Sequence, residues 1–339
     1  MELKGRKLRI LSAVVEIYIK TGQPVGSLSV CEFSKSMASP ATVRNEMAIL
    51  TSLGFLKQPH VSSGRIPSAE GLRVYVDCSM PHKILSDQSK SVIDAMLYEY
   101  VYDFESVLRG TARVLSLVTG CVAVFAAPTS DGAKIRNVKF VQISSRSAML
   151  VLSTSTGMVQ NHLFNCRFAV TDEILDLFSQ AVGKKLEGEP LVNFLPQAIG
   201  TVFEQCGTDF LISPAFEAAV RAARRAYFPQ VGFEGQRNIF TLARDPSDVI
   251  SLFEFLGNEK SVSDLLFSIG GETSVVIGSE IRFPSLNNFS IAASAYNTEG
   301  CKGIMAVIGS ICFDYSDVIA KLEYSVRTAE SIFSKIANS

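Results

Sequence analysis

The stretch Ser39-Pro-Ala-Thr-Val-Arg-Asn-Glu-Met-Ala-Ile-Leu50, with Lys57-Gln-Pro-His-Val-Ser-Ser-Gly-Arg-Ile-Pro67 after it, decides the fold of the N-terminal part of the chain. Ser39 can cap a helix, and Pro40 suits its first position, where a missing N–H leaves no bond unmade. Val43, Met47 and Leu50 follow at i, i+4 and i+7 and must face a core. Ala41, Asn45 and Ala48 then lie opposite, with Thr42 and Arg44 on the flanks. Such an outward face is small near the axis and polar around it, so it can come close to base edges. Arg can bond guanine and Asn adenine in the major groove, while Ser39 and Thr42 can reach phosphate. An ordinary solvated helix face would share this pattern, so the flanking segments decide.

Phe55 to His60 and Arg65 to Pro67 read as two short strands around Val61-Ser-Ser-Gly64, where Gly64 is expected to supply the positive φ of a tight hairpin. Lys57 at the base, with Ser63, Gly64 and Arg65 at the tip, gives a basic wing that can enter a minor groove or lie along the backbone. Upstream, Leu8, Leu11, Val14, Val15, Ile17 and Tyr18 have helical spacing from Arg6 to Lys20. Thr21-Gly-Gln-Pro24 closes that helix, and Ser27 offers the cap of a second one running to about Ser36. Helix, turn, helix and basic hairpin in this order describe a winged helix-turn-helix over residues 1–80.

Charge supports the same division. From Met1 to Asp77 there are ten Lys and Arg against six Asp and Glu, whereas the rest of the chain carries 22 against 27. A basic head on an acidic body directs its own approach to phosphates. At 339 residues, two or three domains are expected, and 47% hydrophobic with 19% charged residues describes ordered protein. The longest apolar runs, Gly120 to Ala127 and Gly303 to Phe313, fall short of the ~20 residues of a membrane span. The basic N-terminus leads into an amphipathic helix and not into a signal core, so no membrane and a cytoplasmic location are expected.

Little speaks for catalysis. His60, His82 and His162 stand outside any nucleophile or metal motif, and Gly270-Gly-Glu272 lacks the pattern of a phosphate loop. The seven cysteines are dispersed, without a Cys-x-x-Cys pair, and are expected to fill cores. No catalytic residue, metal site or cofactor is assigned, and the chain is not read as an enzyme.

Beyond a linker with Pro81 and Ser86 to Ser91, residues 81–118 lead through one helix from Val92 to Leu117. Two alternating apolar runs, Cys121 to Ala126 and Val138 to Ile143, with the strand Ala148 to Ser153 and its partner Met158 to Phe164, read as one antiparallel sheet. The period turns helical from Thr171 to Phe228, with breaks at Gly188-Glu-Pro190 and Ser213-Pro214. Strands resume at Ser274 to Ile281, Phe289 to Tyr296 and Gly303 to Ile311, before a helix from Tyr315 to Ile336. A sheet interrupted by helices and then resumed is an α+β fold with an insertion. It divides the body into 119–170, 171–235 and 236–339.

Several ordered stretches resemble the HrcA family of heat-inducible transcription repressors. They are Tyr18-Ile-Lys-Thr-Gly-Gln-Pro-Val-Gly-Ser27, Ser39 to Met47, Leu53-Gly-Phe-Leu-Lys-Gln-Pro-His60, Ser63-Gly-Arg-Ile-Pro67 and Gly71-Leu-Arg-Val-Tyr-Val-Asp77. Fainter matches are Val275-Val-Ile-Gly278, Ser294-Ala-Tyr296, Gly303 to Gly309 and Asp314-Tyr315. The resemblance implies that the body is a GAF-like domain, 119–170 with 236–339, and that the largely helical insert 171–235 is a dimerising region. It further implies a negative regulator of chaperone genes, acting at the inverted-repeat operator called CIRCE and dependent on the chaperonin GroEL. Where the family usually shows Gly-Pro-Thr-Arg-Met-Asp-Tyr, this chain has Gly309-Ser-Ile-Cys-Phe-Asp-Tyr315, without the Pro, Thr and Arg.

The leading reading is therefore a homodimer that binds an inverted repeat of double-stranded DNA, one head per half-site. A second reading is a metabolite-sensing winged-helix regulator whose GAF-like domain holds a ligand, and a third is an enzyme joined to a DNA-binding head. The strands' polar positions are mostly Ser and Thr, with no clustered charge to grip an anion, which favours an unliganded sheet.

Overall fold

Helix α1 (Arg6–Thr21) takes up the first apolar spacing and stops where Gly22 turns left-handed at φ +66°. The coordinates, a computed structural model, describe residues 3, 5–34, 39–60, 63–127, 133–155, 157–191, 209–227, 230–243, 245–269, 271–298 and 301–337. Helix α2 (Ser27–Ser34) begins one residue earlier than a Ser27 cap would give, with the Val30 amide on the Gly26 carbonyl at 3.2 Å. Its expected end near Ser36 lies outside the described residues. Helix α3 (Pro40–Ser52) follows, then strands β1 (Leu56–Lys57) and β2 (Ile66–Pro67), paired antiparallel, and helix α4 (Ala69–Cys78). Val43, Met47 and Leu50 are buried against Ile10, Leu11, Val14 and Val15 of α1. Each such side chain contributes about 1.5–3 kcal/mol on burial. Ser68 fastens the wing to α4: its hydroxyl donates to the Gly54 carbonyl at 2.6 Å and accepts from the Gly71 amide at 3.0 Å. Gly71 leaves that junction closed, since a Cβ there would stand 2.1 Å from the Phe55 carbonyl oxygen.

The single helix expected from Val92 to Leu117 is two, α5 (Asp87–Leu97) and α6 (Phe104–Thr119). Ser86 caps the first, so the Ser86 to Ser91 stretch is helix and not linker. Asp103 starts the second by accepting the Ser106 amide at 2.8 Å, and the intervening turn folds Tyr100 onto Gly110, where a Cβ would meet the ring at 2.3 Å. Apolar periodicity runs through this break, which is why the two helices read as one.

Strand β3 (Val122–Ala126) belongs to one sheet, and β4 (Ile135–Ser144), β5 (Ser147–Thr154) and β6 (Val159–Asn165) form another. This corrects the expected single sheet. The burial pattern gives the reason: all five residues of β3 are buried, whereas β5 alternates, so β3 is covered on both faces and β5 on one. The covered face of β4–β6 packs on α7 (Asp172–Leu186) and α8 (Asp209–Tyr227), around Phe140, whose ring lies 4.9 Å from Phe178 and 6.0 Å from Phe164. Pro214 was expected to break the chain but lies inside α8. Ala215, Ala218, Ala219, Ala222, Ala223 and Ala226 form a small-residue face that seats this helix flat on the sheet.

Strand β7 (Val231–Glu234), helices α9 (Pro246–Gly257) and α10 (Glu259–Ile269), strands β8 (Thr273–Ile277), β9 (Phe289–Thr298) and β10 (Cys301–Ser310), and helix α11 (Tyr315–Ala337) complete the chain. The central sheet runs β7-β3-β10-β9-β8, antiparallel throughout. Its Phe125, Met305 and Val307 face α6 and α11, and its Val124, Ile304 and Ile308 face α9 and α10. The fold is therefore α+β, a winged helix on a GAF-like antiparallel sheet. The segment that departs from the family pattern is the corner from β10 into α11. There the buried Tyr315 hydroxyl lies 2.6 Å from the Ile311 carbonyl and 2.8 Å from Ser290 Oγ, and the Asp314 carboxylate accepts the Asp317 amide. Cysteine is core filling at Cys121 and Cys166, half-buried at Cys31 and Cys312, and exposed at Cys78, so that expectation holds only in part.

Among the described residues, ion pairs tie the head and its linker to the body at two points. Arg73 of α4 donates through Nε to Glu280 Oε1 at 2.9 Å and through Nη2 to Glu280 Oε2, and Nη2 also reaches the Val275 carbonyl. Asp317 of α11 takes Lys83 from the linker and Lys321 at 2.6 Å. Burial alone would raise the Glu280 carboxyl, but the bonds from Arg73 and the Ile277 amide, with the Arg73 charge, outweigh it and hold it below the usual range. At Asp317 burial is likewise outweighed by Lys321 and Lys83.

Candidate nucleic-acid interface

Helix α3 is fixed from its first turn. Ser39 Oγ accepts the Thr42 amide at 3.3 Å and lies 3.0 Å from Thr42 Oγ1, so the two hydroxyls expected at phosphate hold the cap and each other. With Val43, Met47 and Leu50 turned inward, Ala41, Arg44, Asn45 and Ala48 are exposed and Thr42 is half-buried. The outward face is the one that the spacing predicts.

The wing differs from expectation at Gly64 and Arg65. Gly64 does not have a positive φ. Its lack of a side chain serves close approach: a Cβ would stand 2.5 Å from the Val25 carbonyl oxygen and 2.8 Å from the Pro24 carbonyl carbon. Val25 and Arg65 exchange two backbone hydrogen bonds of 2.8 Å, so the residues before α2 add a third strand-like edge to the wing. Arg65 is consequently half-buried at this seam and not free at a hairpin tip, and its Nε is buried with no hydrogen-bond partner among the described residues. Ser63 closes the turn by accepting the His60 amide at 2.9 Å and donating to the His60 carbonyl at 2.7 Å. Val61 and Ser62 lie outside the described residues. Lys57 is exposed on β1, opposite Ile66.

Four of the eight residues assigned from sequence come together. Arg44, Ser63, Gly64 and Arg65 line one concave cleft of about 470 Å³ between α3, the wing and the start of α2. Asn45 and Lys57 stand on the exposed face outside it, and Ser39 and Thr42 sit at the helix end. The cleft also takes in Gly26, Ser27 and Gln58, which the sequence reading did not assign. Gly26 was the available signal, because a glycine directly before a helix leaves the first amides uncovered, and such amides attract anions. Two guanidinium groups beside them make a cradle for phosphate or for the acceptor edge of guanine. Arg73, counted in the basic surplus of the head, is occupied by Glu280 and Asp77 and contributes nothing to this surface.

A family model for the HrcA protein C terminal domain matches residues 105–319. A heat-inducible transcription repressor HrcA of Clostridium perfringens (strain SM101 / Type A) is 30% identical over 327 residues, covering 94% of this chain and 95% of the relative. Another of the same description, from Pelotomaculum thermopropionicum, is 28% identical over 342 residues, covering 99% and 98%. Among solved structures, one described as a hypothetical protein at 2.2 Å resolution superposes with a TM-score of 0.72 at 23% identity, over 98% of this chain and 99% of that one. It shares this fold.

Proposed function

Since this chain belongs to the HrcA family of heat-inducible transcription repressors, we propose that it silences chaperone genes by binding, as a homodimer, an inverted-repeat operator of the CIRCE type. It is a cytoplasmic negative regulator of heat-shock transcription and not an enzyme. The cleft that unites Arg44 with Arg65 carries this reading, because it puts a base-reading side chain and a backbone-gripping one on the same concave surface. In that complex Arg44 and Asn45 meet base edges. Arg65, Ser63, the Gly64 backbone and Lys57 follow the phosphates, and Ser39 and Thr42 set the helix end.

The partner surfaces follow from what the fold leaves uncovered. The outer face of β4–β6 carries Val141, Ile143, Met149, Val151, Val159 and Leu163, half-buried or exposed, opposite the face that α7 and α8 cover. A second copy of the chain closes this face and sets the spacing of two heads over two half-sites. We draw the dimerising unit as residues 133–227, since the three-stranded sheet shares a core with α7 and α8. For the chaperonin GroEL, Phe240, Ile250 and Phe253 stand in solvent, and apolar groups of this kind are what a chaperonin holds.

A footprint on chaperone promoters, with and without chaperonin, tests operator and partner together. Protection of an inverted repeat that strengthens with chaperonin is expected. Uniform protection of any DNA, unaffected by chaperonin, overturns the proposal.

A further inference from the structure

A cavity of about 320 Å³ opens where the two sheets meet, lined by Phe104 of α6, Phe333 and Ile336 of α11, Thr298 of β9, and Arg136 and Thr154 of the three-stranded sheet. This volume is at the lower end of those that take small ligands. We propose that it binds a small amphipathic monocarboxylate, its apolar body on Phe104 and Phe333 and its carboxylate on Arg136.

Three observations carry the assignment. Phe104 and Phe333 stack with ring centroids 4.5 Å apart, giving the cavity an apolar wall. Thr298 is 7% exposed, and among the described residues its hydroxyl finds no hydrogen-bond partner. A buried hydroxyl left so costs stability unless something completes it. Arg136, finally, is the extra residue of a β-bulge: Ile135 pairs with Thr154 and Asn137 with Ser153, so Arg136 drops out of the ladder. Bulges re-aim side chains, and this one brings a cation to a cavity whose other polar lining is neutral, Ser153, Thr154, Asn297, Thr298 and Ser334. Among the described lining residues Arg136 is the one charged group, so the cavity owes its charge to this irregularity. A planar guanidinium at the mouth of an apolar pocket selects carboxylate over neutral ligands. Because the lining comes from both sheets, an occupant also bridges the dimerising unit to the central body.

Octanoate is the probe and octanamide its neutral counterpart, with binding measured by titration calorimetry and thermal shift on the full chain. Saturable stabilisation by octanoate, at least tenfold tighter than by octanamide, is expected. The exposed Arg136→Gln change should weaken octanoate tenfold or more and erase the preference for the acid. Thr298→Leu, which removes the unpaired hydroxyl and fills the cavity, should leave the fold intact and abolish binding. Absence of saturable binding, equal affinity for the amide, or octanoate binding unchanged in both variants would each overturn the site.

Discussion

Arg73 and Glu280, 207 positions apart, meet in a two-pronged ion pair that fixes the last helix of the head to the turn after β8. Both side chains are partly exposed, so the pair falls between a surface salt bridge and a buried one. Glu280→Gln should cost about 1–2 kcal/mol in urea unfolding at neutral pH. An unchanged urea midpoint would show that the pair contributes nothing to joining head and body.

The same contact sets an acid limit. The carboxyls of Glu280 and Asp317 are held below their ordinary values in the folded chain. Their contribution is complete above the usual carboxylate range and is lost as pH falls through the lowered folded values. Stability should therefore drop more steeply on acidification in the native chain than in Glu280→Gln combined with Asp317→Asn. Parallel curves of urea midpoint against pH for the two proteins would refute the assignment.

On operator DNA, Arg44→Ala should cost about 1–3 kcal/mol, largely lost specificity, whereas Lys57→Ala should weaken operator and random DNA alike and lower the salt slope by about one. Binding isotherms at several salt concentrations separate the two. Equal losses for both variants on random DNA would remove Arg44 from base reading.

Gly64 tests the seam between wing and helix pair. A methyl group there presses on the backbone of Val25 and Pro24, which cannot swing aside as a side-chain tip can, so Gly64→Ala should destabilise by about 1–3 kcal/mol and displace the wing. Gly257→Ala meets nothing within 4 Å and should be near neutral. Comparable thermal midpoints for the two variants would contradict the packing.

Leu163 is 57% exposed on the open face of the three-stranded sheet, so Leu163→Glu should change the subunit's own stability by only a few tenths of a kcal/mol. Sedimentation should nevertheless show dissociation, together with weaker binding to a full inverted repeat and unchanged binding to a half-site. A dimer that persists would move the interface elsewhere.

The reading face of α3 was legible in the sequence because one period decides it: Val43, Met47 and Leu50 go in, and Arg44 and Asn45 go out. Gly64 was recognised as special for the wrong reason, since sequence cannot tell a glycine that bends the chain from one that admits a neighbouring strand. The pairing of Val25 with Arg65 is a tertiary contact with no local signature, and the free wing tip was lost with it. The partition of strands was out of reach, because Val122 to Ala126 and Ala148 to Leu152 are both apolar throughout, and only burial in the fold separates a strand covered on both faces from one covered on a single face. Arg136 was beyond reach, because a bulge is a property of register and not of composition.

One apolar cluster runs without interruption from Leu50 of the reading helix through Leu115 to Phe333 of the closing helix, while Phe140 and its neighbours form a cluster of their own. In calorimetric terms the molecule has fewer melting units than structural parts. Head and central sheet share contacts that are made or lost together, the cluster under α9 and α10 rides on the same strands, and among the described residues the unit around Phe140 is the one with a sheet and a core of its own. The reading helix and the central sheet should therefore melt together, in one endotherm.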